Sequence, residues 1–467
     1  MTASQPASPV DAFERALDVI LARVSVFAPG APPSIAVAYS GGLDSSALLH
    51  LAKRYAAARD IVLFAFHVHH GISANADAWQ AHCERECQQL GIRFDARRVS
   101  LEERSRHGLE QAARLGRYAA LGELCRIHGV RLLLTAHHLD DQAETILLQL
   151  LRGCGVAGMS GMELVASAPD LVGDSSLRVA RPLLDIARVD LERFVAACNI
   201  DYVEDESNTD PRYARNALRH HVMPALFTYF PGYQARFARS AQHAQSAQRL
   251  LDEMAASDLA ECRDGEGIDI GRLKSFNPDR IDNLLRYWLA LSGVRMPSTS
   301  WLGEMRAQLF EAREDAQVCV SLPDGDIRRH RDKVMLTPRA MRVPPQAPPL
   351  RFQWRGEDWL DFRSYRGRLH FESGADGIDA EWLAVQDLVL GYRRGGEMLK
   401  SARNRPTRSL KHHYQALDIP AWERSNLPLV HTASGQLLFA AGIGLNWRDL
   451  PSGSARRICL RWEATNF

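Results

Sequence analysis

A pair of glycines between an apolar run and a helix-forming segment limits, more than any other feature, what this chain can fold into. Residues 35–39 are typical of a buried strand, residues 40–45 read Ser-Gly-Gly-Leu-Asp-Ser, and residues 45–58 favour a helix. Glycine permits positive φ and lets a ligand approach the backbone closely. Successive N–H groups in such a turn, followed by a helix N-terminus, bind anions. The sequence therefore predicts a phosphate loop formed by Ser40, Gly41, Gly42, Leu43, Asp44 and Ser45.

The polar side chains of this loop restrict its ligand. Ser40 and Ser45 can donate hydrogen bonds to phosphate oxygens. The carboxylate of Asp44 repels phosphate unless Mg²⁺ or a cationic substrate lies between them. The Walker A pattern G-x-x-x-x-G-K-[ST] does not occur in the sequence. The alternative interpretation is a glycine turn before an ordinary helix.

The order of short apolar runs and helical patterns predicts the fold class. Further β-like runs lie at 61–68 and 131–135, and helical patterns lie at 73–90, 109–128 and 140–151. This alternation is typical of an α/β domain with a Rossmann-like parallel sheet covered on both faces. No apolar stretch approaches the roughly 18 residues that a membrane span needs, and the N-terminus has no pattern of a secretory signal. We therefore expect a cytoplasmic protein without membrane contacts.

The pattern changes twice along the chain, which predicts three domains. Residues 1–225 form the expected α/β domain, and 226–342 a mainly helical domain. A Pro-rich linker is expected at 343–350. Short β-like runs with glycine turns predict a small α+β domain at 351–467.

A second polar cluster follows the apolar run 131–135. His137 lies at the predicted carboxyl end of this strand, where open α/β sheets bind ligands. Asp140 is a candidate N-cap of the next helix, and Asp141 and Glu144 are three residues apart, hence on one helical face. The functional interpretation is a pair of acids that hold an ammonium group or Mg²⁺ beside a phosphate-binding imidazole. The structural alternative is a capped helix with solvated acids.

Basic side chains are grouped rather than spread. Lys and Arg number 57 against 56 Asp and Glu, so nucleic acid can be bound only by local patches. Arg114 and Arg117 share a helical face and could neutralise phosphate charge, with a surface ion pair as the alternative interpretation. Two runs further along could follow an RNA backbone, or form solvated faces. Their candidate RNA-binding residues are Arg212, Arg215, Arg219, Arg403, Arg405, Arg408 and Lys411.

The loop at 40–45 resembles the S-G-G-x-D-S motif of the PP-loop superfamily of N-type ATP pyrophosphatases. Within that superfamily, the chain resembles the tRNA(Ile)-lysidine synthetases over residues 34–225 and 388–445. The most specific match is the string from Asp205 to Arg219. The other matching segments are 67–71, 110–118, 137–145, 151–155, 181–183, 393–397, 409–411 and 427–429.

The resemblance implies a two-step reaction with ATP as co-substrate and Mg²⁺ as cofactor. The C2 carbonyl oxygen of the wobble cytidine, position 34 of a tRNA(Ile) with a CAU anticodon, is adenylated and diphosphate leaves. The amine of free L-lysine then displaces AMP. The product, lysidine, changes the codon and amino-acid identity of the tRNA from Met to Ile. The domains at 226–342 and 351–467 are then expected to bind tRNA.

The same resemblance implies residue roles. Lysine would be bound by Asp44, Asp141 and Glu144, and Mg²⁺ by Asp44 and Asp141. The implied catalytic residues are Asp44, Arg114, Arg117, His137, Asp141 and Glu144.

Two other functions stay open at this point. A PP-loop tRNA thiolase would also activate its substrate with ATP, but the eight cysteines include no Cys-x-x-Cys pair. A tRNA-binding protein with an inactive nucleotide site would not need the intact loop and acidic pair. The sequence leaves the oligomeric state open, with a homodimer as one option.

Overall fold

The computed structural model divides the chain into two compact units, Met1–Leu251 and Asp252–Phe467. The residues that it describes are 8–24, 32–69, 71, 73, 75–99, 109–204, 214–265, 267–294, 298–312, 318–338, 347–448, 450 and 456–465. Among these residues, no helix has the length and apolar character to cross a membrane. The three-domain division stays a prediction.

The first unit is built on a six-stranded sheet with the order β3-β2-β1-β4-β6-β5. All neighbouring strands are parallel except β5, which runs antiparallel to β6 at the edge. This confirms the predicted Rossmann-like parallel sheet. The strand bounds are β1 Ser34–Ala38, β2 Val62–His69, β3 Arg93–Arg98, β4 Leu132–Leu134, β5 Val165–Ser167 and β6 Arg178–Ala180.

The strand order reverses between β1 and β4, which are adjacent although two strands separate them in sequence. At such a reversal the loops after the two strands diverge and leave a crevice at the carboxyl edge. The segment 40–45 follows β1, and His137 follows β4. Both predicted polar clusters therefore lie at the same edge, beside the crevice.

Helices cover both faces of the sheet, as predicted. Phe13 and Leu17 of α1, Leu48 of α2 and Leu191 of α8 are buried in one cluster with β1 residues. On the opposite face, α4 is buried against β2 and β4. The bounds are α1 Pro9–Arg23, α2 Leu43–Arg59, α3 Ala76–Leu90, α4 Leu109–Ile127, α5 Leu139–Leu151, α6 Val156–Met159, α7 Pro169–Val172 and α8 Arg188–Ala197.

A further helical segment packs on α5. It consists of α9 Ala214–Ala217, a π-helical turn at Leu218–Val222, α10 Met223–Tyr229 and the long α11 Tyr233–Cys262. Met223 and Tyr233 are buried against Ala143 of α5, and Leu147 also contacts this cluster. The segment is therefore held against the helix that carries Asp141 and Glu144.

The second unit begins with helices packed on a five-stranded antiparallel sheet, order β7-β8-β11-β10-β9. In the sequence, Ile281, Leu284, Leu285, Trp288 and Leu289 recur at the helical spacing i, i+3, i+4, i+7, i+8, which predicts one buried face, and all five are buried in α13. The apolar runs 318–322 and 334–337 predict strands and coincide with β9 and β11, whereas β7 and β8 are too short to give a pattern. The bounds are β7 Arg263–Asp264, β8 Gly267–Asp269, α12 Ile270–Leu273, α13 Pro278–Leu291, α14 Thr299–Glu311, β9 Cys319–Ser321, β10 Gly325–His330 and β11 Lys333–Pro338.

The remainder of the second unit is α+β, as predicted. Sheets of order β12-β16-β19-β20-β21 and β13-β14-β22-β15 enclose one core, beside the hairpin β17-β18. Residues 343–346, half of the predicted linker, lie outside the described residues. The bounds are β12 Leu350–Phe352, β13 Trp359–Phe362, β14 Gly367–Gly374, β15 Ile378–Asp379, α15 Ala380–Ala384, β16 Leu388–Tyr392, β17 Met398–Leu399, β18 Arg408–Ser409, α16 Leu410–Ala416, α17 Ala421–Arg424, β19 Pro428–Thr432, β20 Leu437–Ala440, β21 Gly444–Leu445 and β22 Arg457–Ala464.

The close approach of α4 and α7 gives a test of this packing. A Cβ on Gly122 would lie 1.9 Å from the carbonyl oxygen of Val172, a backbone atom that cannot rotate away. We expect Gly122→Ala to lower the free energy of unfolding by about 1–3 kcal/mol, as overpacking does. Gly303→Ala is the control, because its Cβ would meet open space within α14. Urea unfolding followed by circular dichroism measures both, and a Gly122→Ala variant as stable as the parent would contradict the packing.

Candidate active site

The loop after β1 closes on its own serine hydroxyls. The Ser45 hydroxyl donates to the carbonyl of Gly42 at 3.0 Å and accepts from the N–H of Ser40 at 3.3 Å, and the two serine oxygens are 3.0 Å apart. Gly41 has φ of +84°, and a Cβ there would lie 2.9 Å from Cys83 Sγ. Gly42 is the N-cap of α2 and offers no capping side chain. The first N–H groups of α2 are thus left for a ligand, which is the geometry of an anion site.

His137 follows β4 and is held in one orientation. Its Nδ1 lies 3.0 Å from Thr135 Oγ1, and the Thr135 hydroxyl donates to the carbonyl of Ala180. Because that hydroxyl proton is engaged, Nδ1–H donates to Thr135, and Nε2 keeps a lone pair. Desolvation lowers the pKa of His137 to about 3, helped by Arg181, Arg215 and Arg114 against the opposing charge of Asp141. His137 is therefore neutral at pH 7.

His138, its neighbour, has the opposite charge preference and joins the two clusters. Its Nδ1 accepts the N–H of Asp141 at 3.3 Å, which places the proton of the neutral ring on Nε2. Nε2 lies 3.3 Å from Asp141 Oδ2 and 3.6 Å from Asp44 Oδ1. Burial opposes a charge here, but the nearby carboxylates of Asp44, Asp141 and Asp140 outweigh it and raise the pKa of His138.

The expectation that Asp140 caps α5 is wrong. His138 is the N-cap, in a reciprocal capping box with Asp141. Asp140 lies inside the first turn of the helix, and its Oδ2 accepts the backbone N–H of Arg188 at 2.8 Å. A histidine at the cap was missed because this residue type is not among the preferred N-caps.

Asp141 and Glu144 do lie on one face, and two guanidinium groups cover them. Arg215 donates from Nε to Glu144 at 2.7 Å and from Nη2 to Asp141 at 2.9 Å. Arg219 donates from Nε to Glu144 at 2.7 Å and from Nη2 to Asp141 at 3.2 Å. The Glu144 side chain is only 3% exposed. We call these four residues the carboxylate–guanidinium cluster.

This cluster also sets the charge state of Asp141. Burial alone would raise the pKa of its carboxyl, but His138, Arg215 and His137 outweigh burial and lower it. Asp141 is therefore a carboxylate at pH 7. The two carboxylates and the two guanidinium groups cancel in formal charge.

Three buried polar atoms near the crevice have no hydrogen-bond partner within the described residues. They are Asp44 Oδ1, Arg181 Nε and Arg188 Nε. Arg188 Nε approaches Asp44 Oδ1 only to 4.0 Å. Buried groups of this kind are normally satisfied, so their presence indicates a place for a polar ligand.

The remaining predicted residues of the first unit lie on α4 and in the segment before α9. Arg114 and Arg117 are on the exposed side of α4, and the Arg114 guanidinium lies over the Tyr118 ring at 5.1 Å. Arg114 is close enough to affect the pKa of His137. Arg212 and the string 205–210 lie outside the described residues.

The basic residues predicted in the second unit are exposed around the β17-β18 hairpin and α16. They are Arg403, Arg405, Arg408 and Lys411. Their run contains no acid in sequence, yet Asp376 lies 3.4 Å from the Arg403 guanidinium. Arg408 donates to His412 Nε2 at 2.8 Å. Their role in binding tRNA stays a prediction.

Comparison with known proteins decides the family. A PP-loop domain model matches residues 15–226, a TilS substrate binding domain model matches 268–335, and a TilS substrate C-terminal domain model matches 388–462. The chain is 42% identical to tRNA(Ile)-lysidine synthase of Ralstonia nicotianae, over 93% of this chain and 94% of that one. It belongs to the tRNA(Ile)-lysidine synthase family.

Other relatives of the same name give the same result. That of Burkholderia pseudomallei is 40% identical over 90% of this chain and 92% of its own. That of Nitrosomonas europaea is 34% identical over 100% of this chain and 99% of its own. The family predicted from the sequence motifs is confirmed, and a thiolase or an inactive binding protein is not favoured.

Sequence reasoning did not single out three residues of this lysidine synthase site. His138 joins Asp44 to Asp141, while Arg181 and Arg188 each have a buried Nε without a hydrogen bond among the described residues, that of Arg188 being 3.4 Å from the carboxylate of Glu192. His138 was visible as a second histidine after an apolar run. Arg181 follows the short strand β6, and its position beside β4 becomes clear only from the strand order.

The opposite states of the two histidines give a prediction. The Nδ1 and Nε2 resonances of His137 should stay those of a neutral ring down to pH 5, whereas a solvated histidine titrates near pH 6.5. Long-range ¹H–¹⁵N spectra of the ¹⁵N-histidine protein measure this, with His137→Gln for assignment. A His137 titration near pH 6.5 would contradict the neutral assignment.

The same shift sets the sign of a stability effect. The folded-state pKa of His137 lies below the unfolded value of about 6.5. The contribution of this residue to the free energy of unfolding is therefore complete above pH 6.5 and is lost as the pH falls toward 3. Urea unfolding at pH 7.5 and pH 5 should therefore show a smaller loss of stability for His137→Gln than for the parent.

Proposed function

We propose that this protein ligates free lysine to C2 of cytidine 34 in a tRNA(Ile) with a CAU anticodon. ATP is the co-substrate, and AMP and diphosphate are released. The observation that carries the proposal is a phosphate loop with an uncapped helix N-terminus that His138 connects to the acidic pair, in a chain of this family. The Nε2 of His138 lies 3.6 Å from Asp44 of the loop and 3.3 Å from Asp141 of the pair. Such an edge supplies both a triphosphate site and a cation site.

The first step would use the loop and the crevice. The N–H groups of α2 and the hydroxyls of Ser40 and Ser45 bind phosphates of ATP, and the cytidine C2 oxygen attacks the α-phosphorus. His137 is neutral and meets phosphate without a fixed charge, so Arg114 or Arg181 supplies the positive charge that stabilises the transition state. Arg117 is proposed to take part from the same helix face as Arg114.

Mg²⁺ fits one of its two predicted ligands better than the other. Mg²⁺ is usually held by one or two carboxylates together with phosphates and water. Asp44 Oδ1 is buried without a hydrogen-bond partner and lies in the phosphate loop, so it suits this role. Asp141 is already engaged by His138, Arg215 and Arg219, and binds Mg²⁺ only if those contacts open. When bound, Mg²⁺ would neutralise phosphate charge.

The second step needs a place for the lysine ammonium. Asp141 and Glu144 are the proposed ligands, but Arg215 and Arg219 occupy the same oxygens. The two sets of predicted roles fit together if tRNA phosphates draw one of the two guanidinium groups away as lysine arrives. Charge is then conserved at the acids, because one ammonium replaces one guanidinium. One carboxylate accepts the proton that must leave an amine with a reference pKa of about 10.4.

Removing an acid should affect the two steps unequally. We expect Glu144→Gln to raise the KM for lysine about tenfold or more, since a charged hydrogen bond contributes about 1.5–3 kcal/mol. Adenylation of tRNA without lysine, measured as tRNA-dependent diphosphate release, should change less. Glu123→Gln removes an exposed acid of α4 as the control. Equal loss of both steps would contradict this division of roles.

Removing a guanidinium group should affect the KM for tRNA rather than the KM for lysine. We expect Arg219→Gln to raise the KM for tRNA while leaving the KM for lysine unchanged or lower, because a competitor for the acids is gone. Arg193→Gln is the control, since Arg193 is 74% exposed on α8. A parallel rise in both KM values would show that Arg219 only supports the acids.

The activity itself is tested by lysine incorporation. Purified protein, ATP, Mg²⁺ and labelled lysine are incubated with an unmodified tRNA(Ile) transcript that has a CAU anticodon. We expect label in the tRNA, and its loss when cytidine 34 is replaced by uridine. AMP release without label would keep the PP-loop chemistry and exclude lysine as the nucleophile. If the protein neither incorporates label nor releases AMP, the proposal is contradicted.

A further inference from the structure

A 41-residue stretch after the catalytic strings contains no acid. Between Asp210 and Asp252 there is no Asp or Glu, whereas six arginines occur. They are Arg212, Arg215, Arg219, Arg236, Arg239 and Arg249. Arg236 and Arg239 are exposed in the first turns of α11. A polyanion can approach this surface without meeting a like charge from the stretch.

Three aromatic side chains in the middle of this stretch face solvent. Phe227 is 61% exposed, Tyr229 77% and Phe230 56%, at the end of α10 and directly after it. None of the three has an aromatic partner among the described residues, whereas Tyr233 and Phe237 of α11 pack edge to face on each other. We call these three residues the aromatic turn.

The aromatic turn is fixed relative to the acids of the site. The opposite side of α10 is anchored by Met223, which is buried with Ala143 of α5, the helix that carries Glu144. Arg219, eight to eleven residues before the aromatic turn, binds Glu144. At 1.5 Å per residue the aromatic turn lies about 12–17 Å along the helical segment from that contact. If cytidine 34 lies next to Asp141 and Glu144, the neighbouring bases of the anticodon loop can reach the aromatic turn over this distance.

We propose that the aromatic turn stacks unpaired bases of the anticodon loop while Arg236 and Arg239 bind the adjoining phosphates. This rests on the proposed function and names a substrate subsite for it. Single-stranded loops are recognised by splayed bases on aromatic rings, and each stacked base contributes about 1–3 kcal/mol. The absence of acids favours RNA over a basic protein segment as the occupant. An apolar contact with a second copy of the chain would not need the arginines.

The test measures binding of an anticodon stem-loop RNA of the tRNA(Ile) sequence by fluorescence anisotropy. We expect the variant with Phe227→Ala, Tyr229→Ala and Phe230→Ala to bind at least tenfold more weakly. Its KM values for ATP and lysine, measured with saturating tRNA, should stay those of the parent. Tyr229→Phe keeps a ring and should bind like the parent. Leu250→Ala, which removes an apolar side chain that is 66% exposed on α11, is the matched control.

Salt dependence separates stacking from charge. Arg236→Gln with Arg239→Gln should reduce the slope of log affinity against log salt, whereas the aromatic variant should keep the slope of the parent. Parent-like RNA binding by the aromatic variant would overturn the inference, as would a change in its oligomeric state, seen by light scattering, without a change in RNA affinity. If the parent itself neither binds the RNA nor incorporates lysine, the proposed function fails first.

Discussion

The arrangement of the candidate active site in the first unit depends on the burial of the Glu144 carboxylate. A charge that is only 3% exposed is tolerated only with opposite charge and hydrogen bonds around it. Arg215 and Arg219 supply both, and they belong to a segment more than 70 residues further along the chain. The contact therefore ties that segment to α5 and, through Asp141 and His138, to the phosphate loop at Asp44.

Much of this arrangement could be predicted, because it follows from local patterns. Two glycines between a strand and a helix identified the phosphate loop, and the spacing of Asp141 and Glu144 placed them on one face. The alternation of apolar runs and helices gave the parallel sheet, and the spacing of Ile281, Leu284 and Trp288 gave the buried face of α13. Each of these inferences depends on residues within one or two turns of each other.

What could not be predicted depends on contacts between distant residues. Arg215 and Arg219 suggested RNA phosphate as a partner because no acid is near them in sequence, and only the fold brings Glu144 to within 2.7 Å. The different charge states of His137 and His138 likewise depend on surroundings: arginines and Thr135 for the first, three carboxylates for the second. The strands β7 and β8 are two and three residues long, which is too short for any periodicity.

The π-helical turn at Leu218–Val222 keeps successive contacts of this segment on one side of the helix axis. In a regular α-helix, residues four apart are displaced by about 40° around the axis, so three successive contacts at this spacing drift from one side to another. Arg215, Arg219 and Met223 are spaced in this way, yet the first two bind acids of α5 and the third packs on Ala143 of the same helix. The wider π turn winds more residues into each turn and cancels the drift. The irregularity thus keeps a polar and an apolar contact aligned along one neighbouring helix.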